Sequence, residues 1–102
     1  MANNVFVKSG RVMDMLAATA GALTGNWIYK DAPKSAIQVV ATAAATVVFD
    51  VSNDGVNAVA TTLGTVTLVG AGSDGFTTDA PWKFIRARVT ANSGTVNVTM
   101  SV

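Results

Sequence analysis

The chain has 102 residues, of which half are hydrophobic and only 13% are charged, and its net charge is +1. This size fits one small domain with its own core, and the near-neutral charge argues against nucleic acid as a main partner, because phosphate binding usually needs a concentrated basic face. Cysteine and histidine are both absent, which excludes disulfides, thiolate metal sites and imidazole-dependent serine or cysteine catalysis. No run of about 18 apolar residues is present, so we expect no membrane-spanning helix.

Residues 1–34 differ from the rest of the chain and have two interpretations. They form either an N-terminal arm that reaches over a neighbouring molecule or the first short strands of the same domain. Val5–Val7 and Trp27–Tyr29 favour the second interpretation, because short apolar runs at this spacing suit a β-sandwich. Between them, Arg11–Ala20 has apolar residues at helical spacing and predicts a helical turn or two.

A strand pattern covers the chain from residue 35 onward. Val47, Phe49 and Val51 share one face of a predicted strand, with Asp50 on the opposite face. The last predicted strand, Thr95–Val102, alternates between apolar and polar residues, as expected when one face is buried and the other is wet. The other predicted strands are the one that contains Ile37 and Val39, then Val56–Thr62, Thr65–Val69 and Trp82–Thr90.

Turn residues separate these strands. Ser52–Gly55 contains Asn, Asp and Gly, which favour a tight turn. Gly70–Asp79 is predicted to be a polar loop, and Ala91–Gly94 connects the last two strands. About seven or eight short strands without alternating helices predict an all-β fold, a small antiparallel β-sandwich or jelly roll over residues 35–102, preceded by the arm or first strands of residues 1–34.

The acidic residues do not predict a metal site. A calcium site needs about six or seven oxygen ligands, and only Asp50 and Asp54 lie close together in the sequence, with Asp74 and Asp79 in another loop. Serine and threonine are abundant, but nothing in the spacing pairs one of them with a base that would activate it. We therefore expect no catalytic residues, no metal and no cofactor, and we do not expect an enzyme.

One stripe of the predicted sheet combines aromatic and basic residues. Trp82, Phe84, Arg86 and Arg88 fall on the same face of their strand. This composition is typical of a protein–protein interface. A solvated face on which arginine stems cover aromatic rings and a stacking platform for a sugar or a base remain alternatives.

The segment before residue 35 supplies a second set of candidate contact residues. Trp27 and Tyr29 share a face, and Met13 and Leu16 lie in the possible arm. Together with the stripe, they complete the predicted interface, which consists of Met13, Leu16, Trp27, Tyr29, Trp82, Phe84, Arg86 and Arg88.

The segment from Gln38 to Met100 resembles the small β-sandwich structural proteins of tailed bacteriophages. The matching residues are Val47–Gly55, then a glycine-bearing loop, Ala80–Val89 and Ser93–Val98. In that family the order strand, Ser-Asn-Asp-Gly, loop, aromatic-x-aromatic-Ile/Val-Arg, strand, Ser-Gly-Thr-Val recurs. One departure is that Val56–Val59 stands where the family often carries an aromatic residue.

The resemblance implies a virion structural protein. Many members bind the outer face of the phage head as decoration or cement proteins, often as trimers, and others sit in tails. It implies two partners, the major capsid protein and further copies of the chain, and a location on the capsid surface. We expect neither nucleic acid nor a membrane as a partner. The alternative is a module associated with a phage tail or fibre, for which carbohydrate binding is one option.

Overall fold

The computed structural model describes residues 12–30 and 34–101, and these residues form nine β-strands and no helix. Val5–Val7 lies outside the described residues. The strands are β1 Val12–Thr19, β2 Leu23–Thr24, β3 Ile28–Tyr29, β4 Ser35–Ala41, β5 Ala45–Ser52, β6 Gly64–Leu68, β7 Gly72–Thr78, β8 Phe84–Asn92 and β9 Thr95–Ser101.

The strands form two antiparallel sheets, which confirms the predicted all-β class. One sheet has four strands in the order β1-β9-β4-β7, and the other has five, in the order β2-β8-β5-β6 with β3 also paired to β8. Both sheets therefore receive strands from residues 12–30: β1 lies at the edge of the four-stranded sheet, while β2 and β3 pair with β8.

The core lies between the two sheets and is built mainly from β-branched side chains. In β9, Val96, Val98 and Met100 are fully buried, as the alternation of that segment predicts. Phe49 of β5 is fully buried opposite them and meets the ring of Phe76 edge to face, with 5.2 Å between the ring centroids. Most apolar side chains of the longer strands point to the core, which leaves most of the polar ones on the two outer faces.

The predicted helix over Arg11–Ala20 is wrong, since β1 pairs along its length with β9. A β-bulge between Asp14 and Leu16 shifts the register there. Met15 and Leu16 are consecutive and both are buried, so the period of two is broken inside the strand. The bulge gives an apolar spacing that looks helical in the sequence.

Two further predictions on either side of β6 are wrong. The predicted strand Val56–Thr62 lies in the loop between β5 and β6, which is joined to β5 by a hydrogen bond from the Val59 amide to the Val51 carbonyl. The predicted loop Gly70–Asp79 contains β7, an edge strand that pairs with β4. All but two of its residues are exposed, so the apolar alternation that marks a strand is missing there.

A candidate interaction surface on the five-stranded sheet

The outer face of the five-stranded sheet gathers the aromatic and arginine side chains. In β8, Ile85, Ala87 and Val89 point to the core, which leaves Phe84, Arg86 and Arg88 on the outside. The antiparallel register puts Asp50 of β5 opposite Arg86 on one side of β8 and Tyr29 of β3 opposite Phe84 on the other. We call the surface formed by Trp27, Tyr29, Asp50, Phe84, Arg86 and Arg88 the aromatic–arginine face.

At its centre, one carboxylate binds two guanidinium groups. Arg86 donates from Nε and Nη2 to Oδ2 of Asp50, at 3.1 Å in both cases. Arg88 donates from Nε to Oδ2 at 3.0 Å and from Nη2 to Oδ1 at 3.2 Å. The side chain of Asp50 is only 4% exposed, although it lies on the outer face of the sheet. Charge-assisted forks of this kind hold planar groups in a defined orientation.

The charges of the cluster stabilise one another. Burial raises the pKa of Asp50, but the hydrogen bonds and charges of Arg88 and Arg86 more than offset this effect, so the pKa lies below its ordinary value of 3.8. The hydrogen bond to Asp50 in turn raises the pKa of Arg88. The cluster is therefore fully ionised at neutral pH.

Aromatic rings flank the cluster. The guanidinium carbon of Arg86 lies 4.4 Å from the centre of the Trp27 ring, which is the geometry of a cation–π contact. The rings of Tyr29 and Phe84 meet edge to face with their centroids 5.5 Å apart. Tyr29 is 54% exposed, so an apolar ring is available to a partner beside the charged groups.

Five of the eight residues predicted for the interface lie on this face, and three pack against the core. Leu16 is buried between the sheets, and Met13 is partly buried against the same core. Trp82 lies outside β8, which begins at Phe84, and it packs against the core instead of continuing the stripe. The indole ring that contacts Arg86 is that of Trp27.

The acid at the centre of the face is absent from the predicted interface. Alternation in β5 places Asp50 on the outward side, as the sequence indicates. Its pairing with Arg86 and Arg88 depends on the register between β5 and β8, which are separated by more than 30 residues. The sequence signal that could have revealed this cluster is an acid within a mainly apolar strand, together with two arginines two positions apart in another strand.

The turn after β5 uses a second acid for structure. Asp54 Oδ1 accepts hydrogen bonds from the Ser52 hydroxyl at 2.6 Å and from the backbone amides of Val56 and Asn57 at 2.9 Å each. Together these bonds hold the pKa of Asp54 well below its ordinary value, and the bond from Ser52 has the largest effect. Gly55 follows with a positive φ of 69°. The carboxylate of Asp54 is thus occupied in closing the turn.

Residues 12–30 and 34–101 contain no group of three or more acidic side chains that could hold a metal ion. None of them forms a helix long and apolar enough to cross a membrane.

No protein-family model matches the chain, and none of the curated proteins does. Among solved structures, the SPBc2 prophage-derived protein YomS has a similar fold, with a TM-score of 0.73 and 13% identity over 97% of this chain and 98% of YomS. A protein of the Bacillus endospore appendages, described as a novel family of disulfide-linked pili, is also similar, with a TM-score of 0.52 and 20% identity over 98% of this chain and 95% of that one. At these identities the likeness establishes a shared fold.

Proposed function

We propose that this chain is a structural protein of a phage virion, a decoration or cement protein that binds the outer face of the head and stabilises it. The observation that carries the proposal is the aromatic–arginine face, where ordered rings and guanidinium groups lie on a rigid sheet. Tyr, Trp and Arg are the residues most enriched at the energetic centres of protein interfaces. The two structural neighbours, one from a prophage and one from spore pili, support a role in assembly.

The proposed mechanism is adhesion without chemistry. The aromatic–arginine face binds the major capsid protein, and a homo-oligomer, a trimer by the family resemblance, presents several copies of this face to one shell. Linked copies bind more tightly than one copy, because the second contact becomes intramolecular. A protein that binds the closed shell and not the open one stabilises it by mass action.

The test measures binding to heads purified from the virion that carries this chain. We expect stoichiometric copies on the head and an affinity reduced about fivefold or more by Tyr29→Ala, since truncation of an interface anchor costs about 1 kcal/mol or more. Val40→Ala is the matched control, because Val40 is an exposed apolar residue of the other sheet. Heads that bind none of the protein, or equal losses for both variants, would refute the proposal.

A module of a phage tail or other appendage is the second candidate. The observation that favours it is the fold shared with the spore appendage protein. Only a few copies per virion, which separate with the tail when particles are dissected and analysed by mass spectrometry, would support this candidate over capsid decoration.

A further inference from the structure

The aromatic–arginine face carries more positive charge than its own acid neutralises. Arg86 and Arg88 share the single carboxylate of Asp50. Each guanidinium has about five N–H donors, and each uses two of them on Asp50. Within residues 12–30 and 34–101 the side-chain hydrogen bonds of these two arginines all go to Asp50, so about three donors on each arginine remain for a partner. The cluster therefore has a net charge of +1 and free donors.

These donors are held in place before any partner arrives. Asp50 fixes both guanidinium groups, and Trp27 stacks on that of Arg86. The side chains of Arg86 and Arg88 are nevertheless 22% and 36% exposed, so their outer edges reach solvent. Because both side chains are already ordered, an anion that binds there pays little of the usual entropy cost of fixing flexible side chains.

The chemistry of the site favours a carboxylate of a protein over a nucleic acid. The planar fork of arginine matches a carboxylate in a two-point hydrogen bond. A single excess positive charge is too small to bind a nucleic acid, because that binding depends on the neutralisation of many backbone phosphates. The exposed ring of Tyr29 beside the cluster suits the mixed apolar and charged surface of a protein partner.

From this charge complementarity we infer that the aromatic–arginine face binds an acidic side chain of a partner protein, held by the free donors of Arg86 and Arg88 next to Trp27. The inference rests on the proposed function, in which the head subunit supplies the acid. The partner segment then brings an Asp or Glu to the arginines and an apolar residue to Tyr29.

The probe for the test is an octaglutamate peptide, titrated into the full chain while NMR follows the Nε–H resonances of Arg86 and Arg88. We expect both resonances to shift, and we expect Arg88→Gln to weaken binding at least fivefold. Lys34→Gln is the matched control, because it removes the same charge from an exposed residue next to the other sheet, and it should weaken binding less than twofold. Arg88→Lys, which keeps the charge and loses the fork, should behave like Arg88→Gln.

Several outcomes overturn the inference. Equal weakening by Arg88→Gln and Lys34→Gln would show a response to net charge alone. Tighter binding of an eight-nucleotide oligothymidine than of octaglutamate at equal salt would point to nucleic acid. Particles that bind the Arg88→Gln protein as well as the parent would overturn carboxylate recognition and leave the decoration role standing. A parent protein that binds the peptide but no particles would refute the decoration role and leave the recognition of acids supported.

Discussion

Replacement of Asp50 by Asn tests whether the buried carboxylate holds the aromatic–arginine face together. The substitution keeps the shape of the side chain and removes the charge that receives four hydrogen bonds from Arg86 and Arg88. Breaking a fully buried ion pair costs about 3–5 kcal/mol, and an exposed pair is worth about 0.2–1 kcal/mol. The acid is 4% exposed but its partners are 22% and 36% exposed, so we expect Asp50→Asn to lower the free energy of unfolding by about 2 kcal/mol.

Urea unfolding at pH 7 measures this change directly. In a thermal melt the same loss corresponds to a decrease in Tm of about 8–16 °C for a domain of this size. Asp74→Asn is the matched control, because Asp74 is exposed and its carboxylate accepts a hydrogen bond from the adjacent Gly75 amide. We expect it to change the free energy of unfolding by less than about 0.5 kcal/mol.

The pH dependence gives a second check on the same prediction. The pKa of Asp50 in the folded chain lies below its ordinary value of 3.8, so its contribution to stability is present above that value and is lost as the pH falls through the folded pKa. The difference between parent and Asp50→Asn should therefore narrow below about pH 4. A difference under about 0.5 kcal/mol at pH 7, or one that stays constant through the acid range, would refute the reasoning.

Two backbone features give further predictions. Gly75→Ala should lower the free energy of unfolding by about 1–3 kcal/mol, because a Cβ there would overlap the carbonyl oxygen of Ile37. Gly72→Ala is the control and should be close to neutral, because a Cβ there meets no atom within 4 Å. Equal urea midpoints for the two variants would contradict this prediction. Ser52→Ala should cost about 1–2 kcal/mol, because the buried hydroxyl accepts hydrogen bonds from two backbone amides of the turn. A melt unchanged from the parent would show that the turn closes without it.

The strands with one buried and one wet face could be predicted from the sequence. Burial alternates along β9 and along β8 from Phe84 to Val89, because every second residue there enters the core. The pattern fails where the local geometry departs from that rule. The bulge in β1 buries two consecutive residues, and the edge strand β7 has few apolar residues to reveal it.

The candidate site could be predicted only in part. The common face of Phe84, Arg86 and Arg88 follows from the period of two within one strand. The contributions of Asp50 and Trp27 depend on the pairing of segments distant in sequence, which a single-strand pattern does not specify. The sequence places Trp82 on the stripe because the predicted strand begins two residues before β8 does.

The position of β9 makes the four-stranded sheet dependent on a strand that is synthesised after the other three strands of that sheet, β1, β4 and β7. β9 lies between β1 and β4 and pairs with both. A nascent chain that still lacks Thr95–Ser101 leaves β1 without a neighbour and exposes the apolar side of β4. Prematurely terminated products therefore cannot close this layer, and cellular proteases meet them as open chains before they can join an assembly.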